Sequence, residues 1–515
     1  MAQVNKIRVA NEKIAAVQTK QLVLEMNYII PDNKPRINSV VDVSVVPTVT
    51  GSSLGGAGLE FGISAGCNVV YNALSVSEEE ETLFSTACSF TKSFREGMTF
   101  EEGDPAAAQS VYLLSAQCDN AEVTVISDRK LIVKARVTVT AAVKETKELE
   151  AVESFEEEGM ICRTTLVSES KSIAKVRAQT FVKEDIDTQG RLPAIETILA
   201  KNAAIRIENS RIADGKVIFY GSVNVDLLFS GQEGDPKFFA SSFELDFNQS
   251  IEVLEASDDA RPVIGPCVTE LMADVKESGV VGVEALLSFD VEVYDQSECT
   301  LTEDAFMPGM DIVLKKEQMK DSLTRLCQYD IGVCSEKLLT EDGDVHEVLF
   351  VQVQPNVCTA YVGGGSIYFD GMYAVKAFYI PKSDKNVIRT VSAELPFSYS
   401  FENNCEEAAV VSSWIAVKSA AASLNDYGEI IVKWTGDAAA VILQNRERCF
   451  ITSAEILPAQ APEEKAIYYH FVTPGESLWD VAKQFKVAPE QLCAMNQAEN
   501  EAELMSLKGL VVIKQ

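Results

Sequence analysis

Three stretches of the chain alternate apolar and polar residues with a period of two, break at a polar turn, and then resume the alternation. They read GISAGCNVVYNALSVSEEEETLFSTACSFTKSF from Gly62, GSVNVDLLFSGQEGDPKFFASSFELDFNQSI from Gly221 and GMYAVKAFYIPKSDKNVIRTVSAELPFSYSF from Gly371. In the first half of each, one face carries Ala65, Cys67, Val69 and Tyr71, then Val223, Val225, Leu227 and Phe229, then Tyr373, Val375, Ala377 and Tyr379. A period of two puts alternate side chains on one face of a half-buried strand. The interruptions are rich in Gly, Pro, Asn, Asp and Ser, which break a strand ladder. The pattern predicts three hairpins, with the second strands set in register by Phe90, Phe247 and Phe397 and, four residues on, by Phe94, Ile251 and Phe401.

The flanks repeat as well. Pro35-Arg36-Ile37-Asn38-Ser39-Val40 matches Pro193-Ala194-Ile195-Glu196-Thr197-Ile198, and a drifted third copy keeps Val345 and Val348 with Gly343 in place of the proline. Downstream, β-branched runs start at Leu131, Val280 and Glu429. A repeat of about 150 residues is too long for a solenoid unit and predicts tandem, mainly β modules, each a sandwich or partly closed barrel. The polar stretches Ser168–Arg177 and Leu314–Leu326 predict short connecting helices. The Gly-rich runs from Gly51 and Val362 lack the lysine and following helix of a phosphate cradle and predict turns.

Composition narrows the function classes. At roughly 100 to 200 residues per domain, 515 residues allow several cores. The net charge of −32 repels a phosphate backbone, so nucleic acid is excluded as a partner. The acidic runs Glu78–Glu81 and Glu156–Glu158 lack the spaced oxygens and Gly turn of a calcium loop and read as solvated charge. The first twenty residues lack the apolar stretch and cleavage site of a signal peptide, and no run of 18 apolar residues follows. The expectation is a chain kept in the cytosol and not inserted in a membrane. Twelve scattered cysteines without a C-x-x-C read as buried or inert thiols. With two histidines, His346 and His470, neither in a metal or nucleophile motif, no metal, cofactor or catalytic residue is predicted. Trp414 and Trp434 are expected in a core or at an interface.

The last fifty residues have another grammar. Gly475-Glu476-Ser477-Leu478-Trp479, then Val481-Ala482, Phe485, Val487, Leu492, Asn496 and Leu507-x-Gly509, put Leu478, Val481, Ala482 and Phe485 on one helical face. Ser477 is placed as N-cap and Pro489 in the first turn of a second helix. This segment resembles a LysM domain, which implies a βααβ fold over 466–515. The same resemblance implies a shallow groove for N-acetylglucosamine chains, formed by Gly475, Glu476, Ser477 and Leu478 on one side and Met495, Asn496 and Gln497 on the other. Trp479 faces either a sugar or the small core. The stretch Leu457–Ala466, with two prolines, predicts an extended tether that leaves the module free of the body.

The P-x-I-x-x-[VI] opening, the strand ending in Tyr or Phe, and the E-L-x-F segment at Glu244 and Glu394 resemble the SPOCS domain of endospore-forming bacteria. This implies three tandem SPOCS-like β modules with helical connectors near 19–145, 180–296 and 335–450. Such repeats followed by a LysM resemble the SipL-type spore coat morphogenetic proteins. The resemblance implies a non-enzymatic scaffold on the mother-cell side of the forespore, bound to a coat-basement ATPase; exposed strand edges of the repeated β modules would support self-association. The rival expectation is a peptidoglycan-binding protein of cell wall or cortex. An enzyme is the third possibility, and would show a deep pocket lined by acids absent from the sister copies.

Overall fold

A computed structural model describes all residues except 1–2, 56–57, 77–80, 100–110, 233–235, 255, 258, 278, 341–342, 405–407, 458–465, 474, 508 and 515. The chain is mainly β, and its first 456 residues make three pairs of three-stranded antiparallel sheets. The first pair comprises β1 (Val4–Ile29), β2 (Ser39–Gly55), β3 (Gly58–Val76), β4 (Glu81–Met98), β5 (Val111–Ser127) and β6 (Lys130–Phe155). One sheet has the order β2-β3-β4, the other β1-β6-β5. The second pair repeats this with β7 (Ile161–Asp187), β8 (Ile195–Ala213), β9 (Lys216–Gly231), β10 (Phe238–Glu252), β11 (Arg261–Glu277) and β12 (Val280–Phe306). The third does so with β13 (Ile312–Leu338), β14 (Glu347–Gly363), β15 (Ser366–Ile380), β16 (Arg389–Glu402), β17 (Ala408–Leu424) and β18 (Ile430–Ile456). Every one of these sheets stays open; none closes into a barrel.

The three alternating hairpins are β3–β4, β9–β10 and β15–β16. The twelve residues assigned to the inward face of β3, β9 and β15 are all buried, and each set faces the second sheet of its own pair. Burying the Val, Leu and Phe side chains among them stabilises by roughly 1.5 to 3 kcal/mol each. The hairpin into β9 turns on Asp214 and Gly215 (φ 52° and 67°), and that into β15 on Gly364 and Gly365 (φ 57° and 77°). Two successive left-handed residues match the twist of the flanking strands.

Two expectations are corrected. Phe247 lies opposite Gly221 and Phe397 opposite Gly371, but Phe90 lies opposite Cys67; the residue opposite Ile63, the counterpart of those glycines, is Phe94. The register set is therefore Phe94, Phe247 and Phe397, because the first hairpin is longer at its tip. The predicted connecting helices are strands: Ser168–Arg177 lies within β7 and pairs with β12, and Leu314–Leu326 lies within β13 and pairs with β18. Helix propensity is a weak prior, and a full ladder of cross-strand hydrogen bonds overrides it. Ala174, Val176, Ala178 and Val182 pack on the second core, a period of two that marks a strand.

The first and last strands of each pair run 26 or 27 residues, on the order of 85 Å. Beyond the reach of β5, β11 and β17 they continue as two-stranded ribbons, and the three ribbons bundle around one axis. The last strand of each pair carries a bulge near its far end, at 153, 303 and 452. Counting from it aligns Ala151, Leu301 and Phe450, and next to them Val152, Thr302 and Ile451, all buried. The other sheets meet around the same kind of centre, with β4 against β8, β10 against β14 and β16 against β2. There the bulge residues Val41, Leu199 and Leu349 surround Val70, Leu228 and Phe378. The body is a threefold-like ring built from one chain. Trp434 is buried against Tyr373, and Trp414 packs beside Val263 of the second pair, so one lies in a core and the other at an interface.

Candidate functional site

The C-terminal module comprises β19 (Ala466–His470), α1 (Leu478–Phe485), α2 (Pro489–Met495), α3 (Glu501–Ser506) and β20 (Leu510–Lys514), with β19 and β20 antiparallel. Its core holds Leu478, Val481, Ala482, Val487, Leu492, Leu504, Leu510 and Val512. The third short helix is an addition to the expected βααβ order. Asn500 caps it by accepting from the Glu503 N–H at 2.9 Å, while Glu503 accepts from the Glu499 N–H. An Asn three residues before a Glu was the available signal.

The groove residues divide by what their side chains already do. Ser477 caps α1: its Oγ accepts from the Asp480 N–H, and the Asp480 carboxylate accepts from the Ser477 N–H at 3.0 Å, a complete capping box. Leu478 is in the core and Met495 packs against it. The Glu476 carboxylate accepts from the Thr473 N–H at 2.9 Å and lies 2.9 Å from His470 Nε2, and these contacts hold its carboxyl below the usual range. His470 ends β19 and is largely enclosed by Glu476 and Phe485. Asn496 donates to the Leu492 carbonyl at 2.9 Å, finishing α2. Gly475 (φ 90°) and Gln497 (φ 56°) are exposed.

Sequence reasoning missed what anchors the module. Trp479 Nε1 donates to Asp304 Oδ2 at 2.8 Å, and Lys483 and Lys316 donate to Asp304 Oδ1 at 2.5 and 2.8 Å. Asp304 stands near the end of β12, and its side chain is 7% exposed. Burial alone would raise its pKa; the hydrogen bonds from Lys316, Lys483 and Trp479 outweigh it and bring the carboxyl to about 2. The Trp479 ring meets Phe306 edge-on at 5.2 Å, with the Arg163 guanidinium 5.5 Å from its centre. Lys486 pairs with Asp311, and its carbonyl accepts from the Gly309 N–H. The module is thus docked on the ribbon end rather than hanging free, and Trp479 serves packing. The predicted tether falls largely on 458–465, outside the described residues.

The remaining candidates stay quiet. His346 is exposed at the start of β14's flank, its N–H donating to the Ile380 carbonyl. Burial pushes the Cys67 thiol up to about 12 and Cys88 to about 11, so neither is a thiolate at neutral pH. Among the described residues no three His, Cys, Asp or Glu side chains cluster as a metal site. No helix among them is long and apolar enough to cross a membrane. Of the acidic runs, Glu78–Glu80 lie outside the described residues.

Residues 194–276, spanning β8 to β11, match the family described as SipL, SPOCS domain, and residues 470–504 match the LysM domain. No curated protein and no solved structure matches the chain. This chain joins a SPOCS domain of the SipL kind to a C-terminal LysM domain.

Proposed function

We propose that the protein is a non-enzymatic scaffold of endospore coat assembly, with its sheet pairs as SPOCS-like modules near 19–145, 180–296 and 335–450 and its LysM as the attachment point at the forespore surface. The two matched families are binding domains, and they suggest a sporulation-related, peptidoglycan-binding protein. The observation that carries the reading is the dock on Asp304 and Phe306, which fixes the LysM at the end of a long ribbon bundle while Gly475 and Gln497 face outward. A rigid body that presents one small binding module suits attachment better than turnover. The partners of that surface are the glycan of peptidoglycan and the coat-basement ATPase, acting on the mother-cell side.

The test is a pair of assays on the full chain: sedimentation with purified peptidoglycan, and capture of the coat-basement ATPase. Gln497→Asp keeps a residue suited to the left-handed backbone but removes the longer amide. It should weaken at least one assay about tenfold. A wild-type chain that binds neither partner refutes the scaffold, and binding indifferent to Gln497 refutes the groove. If only pelleting responds, peptidoglycan binding becomes the leading role.

A further inference from the structure

The three seams between neighbouring sheet pairs are equivalent by strand register, yet each carries a different pair of residues, the third-to-first seam having Ile388 and Asn72. Ser85 lies opposite Asn72 and Phe238 opposite Ser230, while Ile388 directly precedes Arg389, the partner of Tyr379. Ser85, Phe238 and Ile388 therefore occupy one position in the three pairs, and all are buried. Asn72, Ser230 and Ile380 occupy another. Between the second and third pairs the seam brings together Phe238 and Ile380, both in the apolar centre of the ring. Between the first and second it has Ser85 and Ser230 instead.

A cleft of about 400 Å³ opens where those two serines stand, lined also by Lys34, Thr86, Glu196 and Thr197. Pockets for small molecules begin at roughly 300 Å³. The Ser230 hydroxyl is buried without a hydrogen-bond partner in the protein, which costs roughly 1 to 3 kcal/mol unless a ligand or its water supplies the bond. The Ser85 hydroxyl is engaged within the protein, donating to Asn72 Oδ1 at 2.7 Å and accepting from the Ile388 N–H of the third pair at 3.0 Å; that of Ser230 loses packing relative to Ile380 and gains no bond for folding, so this change points to a ligand. Lys34 donates to the Ala87 carbonyl at 3.3 Å, and an ammonium has further protons to give. Glu196 offsets its charge across the cleft, so the lining selects neither a cation nor an anion. With Ser85 engaged, the lining still carries the hydroxyls of Ser230, Thr86 and Thr197, and a hydroxyl can both donate and accept.

We propose that this cleft is a second binding site, distinct from the LysM, for an uncharged polyhydroxylated ligand of saccharide type. Its size and balanced lining suit one or two sugar units, whose every hydroxyl likewise donates and accepts. It differs from the LysM groove in lying on the body of the ring, so the two sites can be tested apart.

The experiment is saturation-transfer NMR and calorimetric titration of the full chain with glucose and with N-acetylglucosamine, using alanine as a zwitterionic control. All measurements are made in the Gln497→Asp background, which weakens the groove, and glucose serves as the sugar that lacks the groove's N-acetyl group. Saturable binding of a sugar and none of alanine is expected. Ser230→Ile installs the residue that the third pair carries at this position; it should abolish binding and leave the melting temperature equal or higher. If Ser230→Ile lowers the melting temperature, Lys34→Met decides, with at least a tenfold loss of sugar affinity and an unchanged melt expected. No saturable sugar binding in the unmodified cleft overturns the proposal. So does sugar affinity that survives Ser230→Ile, or that survives Lys34→Met where that variant decides, and so does preference for alanine. Each of these results leaves the LysM reading standing, because that rests on peptidoglycan and ATPase binding.

Discussion

Asp304→Ala should release the LysM from the ribbon end without unfolding the body. The carboxylate receives three hydrogen bonds, two from ammonium groups and one from an indole. A fall from the ordinary carboxyl value to about 2 corresponds to roughly 2 kcal/mol at neutral pH. Lys316 belongs to β13 of the body and stays paired when the module leaves, and Lys483 is 38% exposed and screened by solvent, so the share that bears on docking is about 1 kcal/mol. Removing the acceptor also strands the Trp479 N–H, which adds about 1 to 3 kcal/mol. The total is about 2 to 4 kcal/mol, on the order of 30-fold or more in the docking equilibrium. Because the folded-state pKa lies below the unfolded one, this contribution is present in full above the ordinary carboxyl value near 4 and is lost as pH falls from there through about 2. The assay is hydrogen exchange of α1 amides together with the indole N–H resonances of the three tryptophans. The variant should speed exchange in α1 and move one indole signal to a solvent-exposed position at pH 7; the wild type should stay docked at pH 5. Unchanged α1 exchange and an unmoved indole in Asp304→Ala would refute the dock.

The other expected outcomes concern the module and the ladder. Leu478→Ala, which empties a buried site in a small core, should cost about 2 to 5 kcal/mol and lower the melting transition of the LysM while sparing the body. Ser477→Ala removes the cap of α1 and should cost about 1 kcal/mol, so any loss of partner binding by this variant must be corrected for stability in a calorimetric comparison. In β9, Gly221→Ala would place a Cβ 1.9 Å from the Arg206 carbonyl oxygen of β8. The strands would have to part, at about 3 kcal/mol or more, and soluble yield and denaturant midpoint should both fall.

The parts legible in the sequence were those where one strand face is buried and the other wet. Ala65 to Tyr71 and their two sister sets wrote that condition directly into a period of two, and Gly364-Gly365 marked a hairpin. The long strands were harder. In the ribbon halves of β7 and β13, the Ser, Lys and Glu residues resemble an exposed helix face until a partner strand is known. The placement of Phe90 failed because hairpins of unequal length shift the register between copies, and spacing alone cannot see that. In the LysM, local motifs sufficed for Ser477, Leu478 and Pro489, since a cap and an apolar stripe are read within a few residues. Its dock was invisible, as Trp479 and Asp304 are separated by 175 positions.

A threefold-like body offers three similar corners, so the single LysM dock requires a break in the symmetry. Counted from the bulges at 153, 303 and 452, Asp304 takes the place held by Ser154 in the first pair and Ser453 in the third. Two positions further along, Phe306 takes the place of Glu156 and Glu455. At the second corner the chain therefore offers a carboxylate to two lysines and an indole, and a ring to the face of Trp479. At the other two it offers a hydroxyl, too weak an acceptor to hold two ammonium groups, and a charged glutamate where Trp479 would need an apolar partner. The chain leaves β18 beside the connection from β12 to β13, where the Leu457 N–H donates to the Asp311 carbonyl, and so enters the module near this corner. The two substitutions relative to the sister copies then complete the dock. A chain carrying Asp304→Ser with Phe306→Glu should thus lose its preferred dock altogether rather than move the LysM to another corner.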